Sequence, residues 1–434
     1  MKILTRLPYI LCLALLVYMP FHIFISQSVS LATGGLEVWK IGKDVLLALG
    51  VLFTICLVWQ QGRGDRIFNG LVLFAAVYGL LHVLLWGVGP DSDGRSAMIG
   101  IIYNMRLVLF LILGYGAYRL YKFSFSSVVR IILIVSTVVA GLGVLQYFLP
   151  SDLLTHAGYS IDRGVRPAFF IEDHPDLPRI MSTLREPNAL GAYLVLPVAF
   201  LTALFFRTSD RNKRILLAGS FGLHTLAIFL TFSRSAWLAA ALAVSLVVCW
   251  RYYRPVLQYA RRWWPLAVGL VVIASVGIFS MRNTTLFQQY IIHSDPNEQV
   301  ADLDSNDLHV ILVKKGLQGI ADEPFGHGPG TAGIASIHNP QGQITENYYV
   351  QIGYEVGIIG MALFIALNVW LYLKIRKSGD YSAALCAAFW AYVLTNMLLH
   401  TWSNEAVAAQ WWILAGMFLL YVQQQRASRL AANE

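Results

Sequence analysis

Residues 281–350 read MRNTTLFQQYIIHSDPNEQVADLDSNDLHVILVKKGLQGIADEPFGHGPGTAGIASIHNPQGQITENYYV, a polar stretch in a chain that is otherwise a series of apolar spans. The stretch carries Asp295, Glu298, Asp302, Asp304, Asp307, His309, Asp322, Glu323, His327, His338 and Glu346. One large loop rich in titratable groups on a multi-span protein is where chemistry is expected, with the spans as scaffold. Composition sets the class: of 434 residues, 57% are hydrophobic and 13% charged, against about 25% charged in a soluble domain. At about 20 apolar residues per helical crossing, twelve spans are expected, near 7–26, 44–60, 67–87, 97–118, 126–149, 188–206, 215–232, 235–250, 264–280, 350–373, 382–401 and 407–423. The expected fold is therefore an all-α membrane protein of about 12 transmembrane helices. It forms one polytopic domain over 1–434, with long loops at about 150–187 and about 281–350, the larger one containing helices.

Charge orients the spans. Twenty lysines and arginines fall on the side of the two termini, eleven on the other, and Arg106 inside a span. The excess of basic residues on cytoplasmic loops places both termini in the cytoplasm and both long loops outside. The net charge of +8 thus sits on the cytoplasmic rim, where it meets membrane lipids, and gives no indication of nucleic acid. Cys12, Cys56, Cys249 and Cys386 all fall in or at the ends of spans, so no disulfide framework is indicated.

Within the larger loop, Asp304-Ser305-Asn306-Asp307 starts a helix and Glu323-Pro324 stops it. Leu308, Ile311, Leu312, Leu317 and Ile320 give it an apolar face at helical spacing. Such a helix either lies against the membrane-water boundary or caps the bundle. Gly326-His327-Gly328-Pro329-Gly330 forces a tight turn. Lacking a preceding strand and a following Lys-Ser/Thr, it does not match a phosphate-binding loop.

Arg106 lies about nine residues into the fourth span, a depth of roughly 12–14 Å. A charge there marks a functional path or a buried ion pair. Arg234 stands in the hairpin between the seventh and eighth spans, and Arg179 and Arg185 precede the sixth. Four arginines at one boundary, Arg106, Arg179, Arg185 and Arg234, suit an anion such as a diphosphate, because guanidinium binds phosphate oxygens bidentately. His22, His82, His224 and His400 fall in spans and read as packing residues, whereas His293, His309 and His327 read as solvated. His338, near the mouth of the tenth span, could accept a proton from a sugar hydroxyl.

Four stretches together resemble the O-antigen ligase and polymerase superfamily. They are Arg185-Glu186-Pro187-Asn188-Ala189-Leu190-Gly191, Thr231-Phe232-Ser233-Arg234-Ser235-Ala236-Trp237, Pro324-Phe325-Gly326-His327-Gly328-Pro329-Gly330, and His338-Asn339 with Asn347-Tyr348-Tyr349 and Glu355-Val356-Gly357. The family sets His-Asn directly before the Tyr-Leu run, but here His338-Asn339 stands eight residues ahead of Glu346-Asn347. Either 340–345 is an insertion, or Glu346 occupies the histidine's place. The insertion is the favoured reading, since a carboxylate is a weak base unless its pKa is raised.

The resemblance implies a glycosyltransferase of GT-C-like architecture, inverting and metal-independent, with no cofactor, in a bacterial inner membrane with its active site periplasmic. Its donor would be undecaprenyl-diphosphate-linked O-antigen and its acceptor lipid A-core. His338 or Glu346 would be the base, the four arginines would hold the diphosphate, and Asn188, Ser233, Asn339, Asn347 and Tyr348 would support them. An O-antigen polymerase or a protein O-oligosaccharyltransferase would share this architecture. A transporter or flippase would instead predict discontinuous helices and repeat halves, and neither is visible in the sequence.

Overall fold

A computed structural model of the protein describes residues 3–91, 93–171, 174–252, 280, 284, 305–376 and 379–433. Eleven helices among the described residues are long and apolar enough to cross a membrane. In chain order they begin with α1 (Leu4–Thr33), α2 (Leu36–Gln60), α3 (Arg66–Val88), α4 (Gly94–Leu120) and α5 (Phe125–Gln146). After a loop bearing the strands β1 (Phe169–Ile171) and β2 (His174–Arg179) come α6 (Pro187–Arg207) and α7 (Arg211–Leu230), followed by α8 (Arg234–Tyr252). The loop helix α9 (Ser305–Asp322) precedes α10 (Tyr348–Ile375), α11 (Gly379–Leu398) and α12 (Glu405–Asn433). The expected span near 264–280 lies outside the described residues but for residue 280.

Local chemistry sets these boundaries. Side-chain oxygens of Asp65, Asp93, Asp210 and Asn347 accept backbone N–H groups in the first turns of α3, α4, α7 and α10, each cap contributing about 1 kcal/mol. Pro187 opens α6, a position where its missing N–H costs nothing. The α9 helix ends where the sequence predicts.

The core is built around α4, which lies along α12 at backbone contact. A Cβ on Gly114 would stand 2.2 Å from the Ile413 carbonyl, and one on Gly416 would stand 2.2 Å from that of Leu111. Small residues give membrane helices this approach. Trp402, Trp411 and Trp412, all fully buried, fill the junction of α11 and α12.

Three features depart from the sequence reading. First, the loop ahead of α6 holds an antiparallel hairpin, Phe169 pairing with Arg179 and Phe170 with Pro178. Second, α10 is broken at Val356 and Gly357, the glycine at φ +70°, and α1 passes through a tighter turn at Met19–Phe21. Discontinuous helices are thus present, although the sequence suggested none. Third, α11 ends at Leu398, leaving His400 in the turn before α12.

Those departures all lie towards one end of the bundle, the loop-bearing face. There the ends of α3, α7 and α11 meet the starts of α4, α6, α8, α10 and α12, and α9 lies on them. At the opposite face, Arg251 pairs with Asp380 at 3.9 Å.

Candidate active site

The glycine turn anchors the loop-bearing face. The Gly330 and Ala332 amides donate to the Glu355 carboxylate at 3.1 and 3.4 Å, and Asn104 Nδ2 donates to it at 2.7 Å. Asn104 also lies 3.2 Å from His82 Nε2. His327 and Gly328 donate backbone N–H groups to Tyr354 and Glu355 across the break in α10. The turn is therefore a nest of amides filled by the protein's own buried Glu355 side chain. Gly330, at φ +76°, touches α4 so closely that a Cβ would stand 1.9 Å from the Ser96 carbonyl. Gly330→Ala is expected to separate the turn from α4 and to lower the melting temperature of the purified protein in detergent by several degrees.

His327, read from sequence as solvated, is 7% exposed. Its ring stacks on Tyr354 at 3.8 Å, and Nε2 lies 3.9 Å from Asp91. Spacing hid this packing, because the histidine is in the turn and its ring partner is in α10.

Strand β2 delivers Arg179 to the start of α6. Its Nε donates to the Thr231 carbonyl at 2.9 Å and its Nη2 to Asn188 Oδ1 at 3.2 Å. Asn188 thus orients an arginine, which gives the Pro-Asn segment a physical role. Arg234 starts α8 beyond the turn Thr231-Phe232-Ser233, where Phe232 takes φ +50° and the Ser233 and Ser235 hydroxyls lie 3.1 Å apart. Gly191 lets α6 meet this turn, since a Cβ there would stand 2.4 Å from that of Ala236. Burial pulls the Arg179 pKa down to about 10, with Glu186 opposing and Arg234 adding to the fall. Arg179, Glu186 and Arg234 are therefore one electrostatic neighbourhood.

Glu346 joins it. The residue stands at φ +47°, in the left-handed region that costs a non-glycine residue about 1–3 kcal/mol and is found mainly at functional sites. Burial raises its pKa, His309 opposes the rise and Glu186 adds to it. His309 Nδ1 on α9 lies 3.4 Å from Glu346 Oε2. On either side, Thr345 Oγ1 lies 3.2 Å from His400 Nε2 and Asn347 Nδ2 donates to the Met397 carbonyl at 3.0 Å. Asn347 Oδ1 also caps α10, behind which Tyr348 is buried. Burial, then His309, lower the His400 pKa to about 4.

The remaining sequence candidates stand elsewhere. His338 ends a short 3-10 turn, Gly333–His338, and is exposed. Asn339 Nδ2 holds the next residues to the Asp91 carbonyl at 2.8 Å. Arg106 is 1% exposed and forked onto Asp44, Nε to Oδ1 at 2.9 Å and Nη2 to Oδ2 at 3.2 Å. Lys43 and Glu405 complete that buried cluster. Arg185 lies within electrostatic reach of Lys40 and Tyr103, and Tyr103 packs under the Arg106 guanidinium at 4.7 Å. The four arginines thus fall in two groups: Arg179 with Arg234, and Arg106 below Arg185. Among the described residues, no three His, Cys, Asp or Glu side chains are gathered as a metal would need.

Residues 219–365 match the family model described as Wzy_C, O-antigen ligase. Over that third of its length the chain is similar to the O-antigen ligase/polymerase superfamily. No curated protein matches it. The matched segment takes in Arg234, His309, the glycine turn, His338, Glu346 and Glu355, whereas Arg106, Arg179 and Arg185 precede it. The match supports lipid-linked glycan transfer as the type of chemistry.

His309, read from sequence as solvated, is placed beside Glu346. Its signal was present in the periodicity: positions 309, 313, 316 and 320 fall on one helical face. Val313 and Ile320 from that face pack against Val350 and Tyr354.

Proposed function

We propose that this protein transfers O-antigen glycan from undecaprenyl diphosphate to a sugar hydroxyl of lipid A-core, at the periplasmic face of a bacterial inner membrane. The observation that carries this reading is the joint neighbourhood of Arg179, Arg234, Glu186 and Glu346 on the loop-bearing face. It gathers guanidinium charge around Glu186, which in turn acts on Glu346, a carboxylate whose basicity burial raises. The basic residues on the opposite face, with both termini, support a cytoplasmic side there.

In this mechanism Arg179 and Arg234 hold the diphosphate, with Arg185 at the edge of the same face. The acceptor oxygen forms a bond to the anomeric carbon while the bond from that carbon to the diphosphate oxygen breaks, inverting the centre. The electron pair leaves with the diphosphate, where guanidinium charge stabilises it, and no metal is called for. The acceptor proton passes to Glu346. This favours Glu346 over His338 as the base, because the objection that a carboxylate is too weak falls once burial raises its pKa.

Arg234→Ala is expected to reduce transfer by ~10²- to 10³-fold, the usual cost of one donor to a departing oxyanion, with the protein still in the membrane. The direct test of the reading is chromosomal deletion followed by gel analysis of lipopolysaccharide. Loss of every glycan band above core supports a ligase, and one repeat unit attached to core would reassign the protein as a polymerase. An unchanged ladder would overturn both.

A further inference from the structure

We propose that His309 is a positioning residue for glycan transfer, holding the Glu346 carboxylate in the geometry from which it takes the acceptor's proton. The inference rests on the reading above and deepens the account of that same site.

The geometry is specific. His309 Nδ1 is 3.4 Å from Glu346 Oε2, with side chains 38% and 25% exposed, so the pair borders solvent as a site for an incoming hydroxyl must. Helix α9 is seated to make this contact. Gly316, two turns beyond His309, lies so close to the segment carrying Glu346 that a Cβ would stand 2.6 Å from Val350 Cγ1 and 2.9 Å from Thr345 Cγ2. A larger residue there would lift α9 and its histidine away. Glu346 itself is held in an unfavourable backbone conformation by its neighbours. Asn347 ties it to Met397, and Thr345 donates to the Asn347 carbonyl at 3.2 Å while facing His400. Such a backbone fixes the carboxylate's root, leaving its outer torsions to be fixed by the imidazole.

The groups facing Glu346 decide its titration. From α9 comes His309, from the segment ahead of α6 comes Glu186, and from the turn before α12 comes His400, behind Thr345 and within electrostatic reach of His309. Glu186 repels the carboxylate's charge and favours its protonation. His309 acts in the opposite sense. With His309 present the carboxylate stays ionised to lower pH, and after proton transfer from the acceptor the imidazole still orients the neutral acid. Removing His309 therefore does two separable things: it loosens the base, and it moves the acid limb of the rate profile to higher pH.

The test uses the full-length protein in phospholipid vesicles with a lipid-diphosphate-linked glycan and lipid A-core, following kcat and KM across pH. His309→Ala is expected to lower kcat by ~10²-fold, the usual cost of misplacing a reacting group, leaving the donor KM within about twofold and displacing the acid limb upward. His309→Asn puts an amide donor near the place of Nδ1 but cannot carry charge. It should recover most of kcat while the acid limb stays displaced. An unchanged profile in both variants would overturn the proposal. So would equal loss in both with no displacement, the mark of a merely structural side chain. Full activity of Glu346→Gln in the same assay would instead overturn the base assignment, and the role of His309 with it.

Discussion

Glu346→Gln is expected to cut glycan transfer by ~10²- to 10⁴-fold, the range over which a positioned general base contributes. The substitution keeps the volume of the side chain and its packing against Thr345 and His309, so protein levels in the membrane should be unchanged. The pH dependence gives the sign. Burial raises the carboxyl's pKa and Glu186 adds to the rise, with His309 opposing. A base must be deprotonated to act, so wild-type kcat/KM should fall as pH drops through a value above the ordinary glutamate figure of about 4.3. It should plateau on the alkaline side of that value. In the glutamine variant this acid limb disappears together with the rate. His338→Ala is expected to leave the lipopolysaccharide ladder near normal, as His338 stands on an exposed turn. A ladder lost in His338→Ala but kept in Glu346→Gln would exchange the two roles.

The second large effect concerns stability. Asp44→Ala removes the forked partner of Arg106 and leaves a guanidinium 1% exposed with Glu405 4.0 Å from its Nη1. Breaking a buried ion pair in this way costs about 3–5 kcal/mol, because Arg106 and Lys43 are left to share the single Glu405 carboxylate away from water. The expected result is a large drop in melting temperature in detergent and little folded protein in the membrane. The double variant Asp44→Leu with Arg106→Met should recover most of that loss, since apolar replacement of a whole buried pair is often neutral or better. Its transfer activity then separates two roles for Arg106. A stable and active double variant makes the pair structural, whereas a stable but inactive one gives Arg106 a part in holding the donor.

Local physics explains what could be read in advance. Apolar length gave the described spans, because a helix in lipid satisfies its own backbone bonds wherever it lies. The helix Ser305–Asp322 was legible from its polar start, its apolar face and Pro324. The candidate site was legible in residue type but less so in pairing. Arg179, Asn188 and Arg234 could be named, yet the contact of Arg179 with Thr231 spans 52 positions and depends on a hairpin whose strands are short and whose second strand bears prolines. Arg106 could be marked as costly, but not assigned to Asp44, 62 positions away. Glu346 was set second to His338 on intrinsic basicity, which burial alters and spacing does not reveal. The glycine turn lacks the residues of a phosphate-binding loop in the sequence, and the structure adds what the sequence does not show. Its amides are already filled by Glu355, from a helix that follows it.

That filled nest bears on how substrates come and go. Sliding α10 against α4 would strip Gly330 and Ala332 from a carboxylate sealed off from water, at about 1–3 kcal/mol for each bond left unmade. This corner of the molecule is thus a fixed abutment. Any movement that admits a bulky lipid and lets the spent carrier depart is therefore expected away from this corner.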